Sequence, residues 1–366
     1  MIKMNYIQSI SLDMLRVFAV QLVLIGHALS YFGLIQLNGV IQNTAVVLFF
    51  ILSGTVISYS TFYKKHIDDN YSFKEYFIDR FSRIFTALFP SLIFILVIDL
   101  IQIYYVENKN YGYFNALDLK TFIGNLFMLQ DYPIFHISNK VFDTDIFLTS
   151  FGSGRPLWTL AIEWWLYMAF GLIFFYFIKQ FSIKHIPLLL IFLVVPLYNS
   201  FYGRGDSLTL FWMGGLIITI MIFKYSIVAS KALSIFFMLI LPLLILLRLY
   251  IKHQAYDLVY VTLIIFFIYF YLSFFSTINY TSEKLKKIIH FFASYAFTLY
   301  LIHYSILDFM YFFLDKNNAI KLFIISIIVS NFLAFVLAYF TEIKYKKVRI
   351  FMIKLLINKE NKNAKR

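Results

Sequence analysis

The chain has no cysteine, and in 366 residues only 14% are charged and only 19 are acidic. The missing cysteine excludes a disulfide framework, a thiol nucleophile and any cysteine metal site, and says nothing about redox compartment. Histidines and carboxylates lie scattered on different segments without ligand spacing, so no metal site is expected. There is no Gly-rich phosphate loop, no internal repeat and no stretch that reads as a separate soluble domain. The first apolar segment does not read as a signal peptide, because Asp13 and Arg16 stand at its start and no small-residue cleavage site follows.

What the chain does have is apolar surface. Hydrophobic residues make up 61% and the mean hydropathy is +0.78. An ordinary globular chain is about half apolar and a quarter charged. The apolar residues come in runs near the ~20 residues needed to cross a bilayer. The expectation is an all-α polytopic membrane protein, a bundle of about ten spanning helices, at 13–34, 44–63, 83–106, 156–178, 186–202, 207–223, 231–250, 256–275, 291–313 and 319–343. Ten crossings put both termini on one side. That side then collects 23 of the 32 Lys and Arg residues, against nine on the other. Positive charge marks the cytoplasm, so both termini are expected there. The net charge of +13 is therefore read as topology, with the lipid bilayer as partner and no nucleic acid. Residues 1–343 are expected to form one transmembrane domain with a long outside loop at 107–155. Within that loop Leu119 to Leu129 is apolar but too short to span and reads as re-entrant or interfacial. Residues 344–366 read as a basic cytoplasmic tail, a surface-lying helix with a frayed end.

Ionisable side chains inside spans are costly and become candidates for function. Asp13, Arg16 and His27 share the first segment. Eleven helical positions separate Arg16 from His27, roughly 16 Å on the same face. On residue type alone Arg16 reads as readily as a topology anchor. The second segment carries Phe49-Phe50-Ile51-Leu52-Ser53-Gly54, where Ser and Gly at mid-depth fit close packing as well as a cavity wall. Arg80 and Arg83 stand at the mouth of the third segment, spaced i and i+3, suited to phosphate oxygens, although spacing alone favours positive-inside anchoring. The fourth runs Arg155-Pro156-Leu157-Trp158-Thr159-Leu160-Ala161-Ile162-Glu163, with Tyr167 a turn on. Trp158 fits an interfacial belt, and Glu163, about 10 Å inside, lies level with His27. An acid–imidazole pair is what general-base chemistry needs. His303 reaches a similar depth and is either a second site residue or a packing histidine. Asp99 and Asp308, in the outer parts of their segments, are expected to face a vestibule.

In this order the motifs resemble the acyltransferase type 3 family, integral membrane enzymes that modify bacterial surface glycans. The carrying residues are Leu12-Asp13-x-Leu15-Arg16-x-x-Ala19 with His27, Phe49 to Gly54, Arg80-x-x-Arg83, and Leu157 to Glu163 with Tyr167. Ser294-Tyr295 and Tyr300-Leu301-Ile302-His303 add a weaker match. Two positions depart from the pattern: Val47 stands where some members have aspartate, and Thr159 replaces the usual Ser. No esterase-like domain follows the last segment, so the bundle is expected to be the whole catalyst or to act with a partner.

The resemblance implies acyl transfer, acetyl being the expected group, from cytoplasmic acyl-coenzyme A as donor substrate to a hydroxyl of a cell-surface polysaccharide such as lipopolysaccharide O-antigen, or of its lipid-linked precursor, in the inner membrane. No cofactor is bound permanently. It gives His27 and Glu163 the catalytic roles and Arg16, Arg80 and Arg83 the coenzyme phosphates. Asp13, Ser53, Trp158, Thr159, Tyr167 and His303 are supporting candidates. The rival reading is a transporter or flippase, for which buried ionisable groups are equally natural. Pro90, Pro196 and Pro242 fall in single segments, and no paired Gly/Pro-interrupted helices mark matching halves.

Overall fold

Runs of apolar residues bounded by Asn, Ser and Asp caps give helices and, among the described residues, no strand. The computed structural model describes residues 1–35, 39–105, 111–142, 148–178, 183–203, 205–278, 282–313 and 318–357. The helices are α1 (Tyr6–Tyr31), α2 (Val40–Ile67), α3 (Phe73–Tyr104), α4 (Leu119–Leu126), α5 (Pro133–Phe142), α6 (Leu157–Tyr176), α7 (Ile186–Phe201), α8 (Leu208–Thr219), α9 (Lys231–Lys252), α10 (Leu258–Ser276), α11 (Glu283–Ala293), α12 (Ala296–Phe313), α13 (Ala319–Phe340) and α14 (Tyr345–Leu356).

Among the described residues eight helices are long and apolar enough to cross a membrane, two fewer than the ten segments read from the sequence. One difference is at 291–313, where α11 and α12 pass the test only together and bend by 51°. The bend falls at Ser294, whose hydroxyl bonds the Phe291 carbonyl at 2.7 Å and competes with the backbone ladder. The other is at 207–223. Leu208–Lys224 is too short, its last turn widened so that the Tyr225 N–H reaches the Ile220 carbonyl. Pro90, Pro196 and Pro242 lie inside continuous helices.

The chain forms two compact units, residues 1–69 with 199–296 and residues 70–198 with 297–366. In the first, α1 starts seven residues before Asp13, through a capping box between Asn5 and Gln8. The same two side chains fasten it to α10: Asn5 donates to the Phe275 and Ser276 carbonyls and Gln8 to Leu272. Helices α2 and α8 meet backbone to backbone. A Cβ on Gly54 would lie 2.1 Å from the Trp212 carbonyl oxygen, and one on Gly215 2.1 Å from that of Ile51. Thr55 and Thr219 seal the contact by donating to the Gly215 and Thr55 carbonyls. Helix α9 is tied to α10 by a two-pronged Arg248–Asp257 pair, both contacts 2.8 Å. It otherwise shows exposed Leu239, Leu243 and Leu246, the face of a lipid-contacting span.

The second unit is built on α3. Its 32 residues reach about 48 Å, well beyond a ~30 Å hydrocarbon core. Tyr76 packs its ring closely against Gly171 of α6 and donates its hydroxyl to the Tyr167 carbonyl at 2.9 Å. Helix α14, the first part of the expected tail, is seated on α3 through Arg349, which pairs with buried Asp79, and through Lys74, which donates to the Leu356 carbonyl. The rest of that tail lies outside the described residues. In the expected outside loop, α4 buries Thr121 and Asn125 and exposes Leu119 and Ile123, so its apolar face points away from the protein. This is the pattern of an interfacial helix.

Candidate active site

The first unit holds Asp13, Arg16, His27 and Ser53. Because α1 begins at Tyr6, Asp13 and Arg16 stand about two and three turns inside the helix instead of at its start. Spaced i and i+3, they form an ion pair at 2.7 Å, and the other Asp13 oxygen lies 3.7 Å from His290 Nδ1 of α11. The helix runs unbroken from Arg16 to His27, half-buried in its last third. Ser53 returns its hydroxyl to the Phe50 carbonyl, while its neighbour Gly54 serves helix contact. Of the two readings left open for this Ser–Gly step, close packing is what the glycine does.

The second unit holds the other candidates. Arg80 and Arg83 lie two and three turns inside α3, which starts at Phe73, and not at its mouth. The Arg80 guanidinium sits 5.7 Å above the Tyr76 ring. Arg83 pairs with the buried carboxylate of Glu342 at 3.2 Å and stacks on Tyr345 at 4.8 Å. On α6, Glu163 accepts a hydrogen bond from the Tyr167 hydroxyl one turn on. Thr159 bonds both the Pro156 carbonyl and the Tyr300 hydroxyl of α12. Trp158 is buried, not displayed in an interfacial belt. Helix α6 enters from a tightly held turn, with no apolar lipid face at that point. His303 is fully buried, its Nδ1 within 3.1 Å of the Leu299 and Tyr300 carbonyls of its own helix.

Asp99 and Asp308 do not face an open vestibule as expected, since both side chains are buried. Asp99 takes the N–H of Ser153 at 2.9 Å and its hydroxyl at 2.6 Å. Gly152, at φ +50°, packs so closely that a Cβ would overlap the same carboxylate. Asp308 accepts from Gln102 at 3.0 Å. Asp99 thus latches the turn that leads into α6 and its Trp158, Thr159 and Glu163. Gln130, donating to the Leu157 carbonyl, and Trp165, donating to Met128, hold the same end. Two site neighbours escaped the sequence reading. Tyr300 stands in the sequence only within the Tyr300-Leu301-Ile302-His303 motif, and Glu342 carries no sequence signal of its own.

These helices define a polytopic all-α membrane protein. The sequence profile of the family described as Acyltransferase domain matches residues 9–341, nearly the whole chain. The protein belongs to that family and is a membrane acyltransferase. No curated protein and no solved structure matches it.

Proposed function

We propose that the protein moves an acyl group, acetyl in the first instance, from cytoplasmic acyl-coenzyme A to a hydroxyl of a cell-surface polysaccharide or its lipid-linked precursor, in the inner membrane, with both termini cytoplasmic. The observation that carries this reading is α1, one unbroken helix with a cation in its first half and an imidazole eleven residues further on. Roughly 16 Å of rise separates them, of the order an extended pantetheine arm can bridge.

Arg16 and Arg80 are assigned to the donor's phosphates, where guanidinium groups make strong charge-assisted hydrogen bonds. The Asp13–Arg16 pair is partly exposed, so its mutual attraction is weak and Arg16 can turn to a ligand. His27 acts as general base. It takes the proton of the acceptor hydroxyl as that oxygen attacks the thioester carbonyl. The C–O bond forms, the C–S bond breaks, and the proton passes to the departing coenzyme thiolate. If His27 itself carries the acyl group, an imidazole N–C bond forms as the C–S bond breaks and the thiolate leaves, and that N–C bond then breaks as the acceptor oxygen forms the C–O bond and gives up its proton. Glu163, held by Tyr167, is the carboxylate that favours the charged imidazole. Ser53, Thr159 and Tyr167 are hydroxyls able to steady the oxyanion, Thr159 with Tyr300 as its partner. Trp158 and His303 are assigned to packing around them.

The test compares surface glycan by mass analysis from cells carrying the wild type or His27→Ala at equal membrane levels. Acyl mass on the glycan is expected with the wild type and not with the variant. Equal acylation from both overturns the role of His27, and no acyl difference between cells with and without the protein favours a transporter.

A further inference from the structure

Among the described residues there are six arginines, and four face carboxylates: Arg16 faces Asp13, Arg83 Glu342, Arg248 Asp257 and Arg349 Asp79. Arg80 and Arg155 do not, and Arg155 lies in the outer segment, away from a cytoplasmic donor. The two arginines spaced i and i+3 on α3 are therefore chemically unlike.

Arg83 is committed. Glu342 stands in the short turn Glu342–Lys344 between α13 and α14 and has no exposed surface. One carboxylate oxygen takes the Thr298 N–H at 2.9 Å and the Thr298 hydroxyl at 2.8 Å, at the start of α12. The other faces Arg83. A single buried anion thus joins α3, α12 and the α13–α14 turn, and Arg83 is its cation. Turning Arg83 to a phosphate would strand a carboxylate that burial makes costly to leave uncompensated. Arg80 carries no such obligation. Its guanidinium rests over a Tyr76 ring fixed by Gly171 and the Tyr167 carbonyl, and its buried Nε–H has no hydrogen-bond partner. An uncompensated, pre-oriented cation on a rigid helix is suited to a polyanion.

We infer that the two arginines divide the work: Arg80 grips the donor's phosphates, and Arg83, held by Glu342, is a positioning residue that fixes α3 against the α13–α14 turn. The inference rests on the donor reading above and sharpens it.

The experiment measures acetyl-coenzyme A affinity and thermal unfolding of the full-length protein in nanodiscs. Arg80→Gln is expected to weaken binding about tenfold or more, the loss of one charge-assisted contact, with an unchanged melting temperature. Arg83→Gln is expected to lower the melting temperature. Adding Glu342→Gln to it, which removes the stranded charge, is expected to restore melting and leave affinity within about twofold of wild type. A double variant that melts like wild type but binds about tenfold more weakly overturns the inference, because Arg83 then grips the donor itself. Unchanged affinity in Arg80→Gln overturns it from the other side. Failure of the wild type to bind acetyl-coenzyme A at all overturns the donor reading, and is told apart because the melting rescue by Glu342→Gln is read without ligand.

Discussion

The two units solve helix packing by different physics. In the first, α2 and α8 touch through Gly54 and Gly215, with threonine hydroxyls returned to carbonyls. Its ion pairs lie toward the surface: the carboxylates of Asp13 and Asp257 are 21% and 17% exposed. In the second, the carboxylates are inside. Asp79 is 3% and Glu342 0% exposed, and each anchors a different segment to α3. Close backbone approach gives contact over a wide surface but tolerates no added volume. Buried charge gives attachment at chosen points and tolerates no lost partner. The arginine pair of α3 lies in the unit that works by charge, which explains why one of its members has been drawn into the framework.

The contrast can be broken at its strongest point first. Arg349→Met removes the guanidinium that faces the buried Asp79 carboxylate, to which the Tyr71 hydroxyl also donates, and should cost about 3–5 kcal/mol. Thermal unfolding of the solubilised protein measures it, and adding Asp79→Asn should recover most of the loss. Gly54→Ala tests the other unit. The new Cβ meets backbone, which cannot swing aside, so about 3 kcal/mol or more is expected. If Gly54→Ala proves harmless and Arg349→Met severe, the units are not distinguished by volume as described. Asp99→Ala leaves the Ser153 N–H and hydroxyl without their acceptor and should cost about 2–3 kcal/mol. Its larger mark should be on turnover, since the released turn leads into the helix of Glu163. A fall in kcat at near-constant protein level is the reading to look for.

The smallest effect is expected at the edge of the second unit. Asp118 caps α4, and hydrogen bonds from the Thr121 N–H and hydroxyl hold its carboxyl below the usual range. A lowered native pKa means the cap's contribution is complete above the ordinary carboxylate pKa and is lost as pH falls through the lowered value. Asp118→Ala should cost about 1 kcal/mol at neutral pH, seen as faster amide exchange confined to α4.

The helical class was legible because a run of twenty apolar residues has few other fates. The extents of the helices were not. Asn5 and Ser72 cap α1 and α3 well before the apolar windows begin, so hydropathy alone makes the polar first turns look like loop and Asp13, Arg16, Arg80 and Arg83 like helix ends. The bend at Ser294 and the widened turn after Thr219 depend on a hydroxyl and on hydrogen-bond register, which hydropathy does not record. Long-range polar partners were hidden for a plainer reason. Asp99 meets Ser153 at 54 residues' distance and Arg83 meets Glu342 at 259, and a single sequence carries no sign of either pairing. Motif order picks out the candidate residues in the sequence, while the Thr159–Tyr300 and Glu163–Tyr167 contacts come only with the fold.

The central claim is that this membrane protein breaks an acyl thioester using His27. The most direct measurement is release of free coenzyme A from acetyl-coenzyme A by purified protein in vesicles, with glycan acceptor added, for the wild type and His27→Ala. The account predicts acceptor-dependent release by the wild type and a return to the uncatalysed rate in the variant with an unchanged melting temperature. Equal release by both proteins would contradict it.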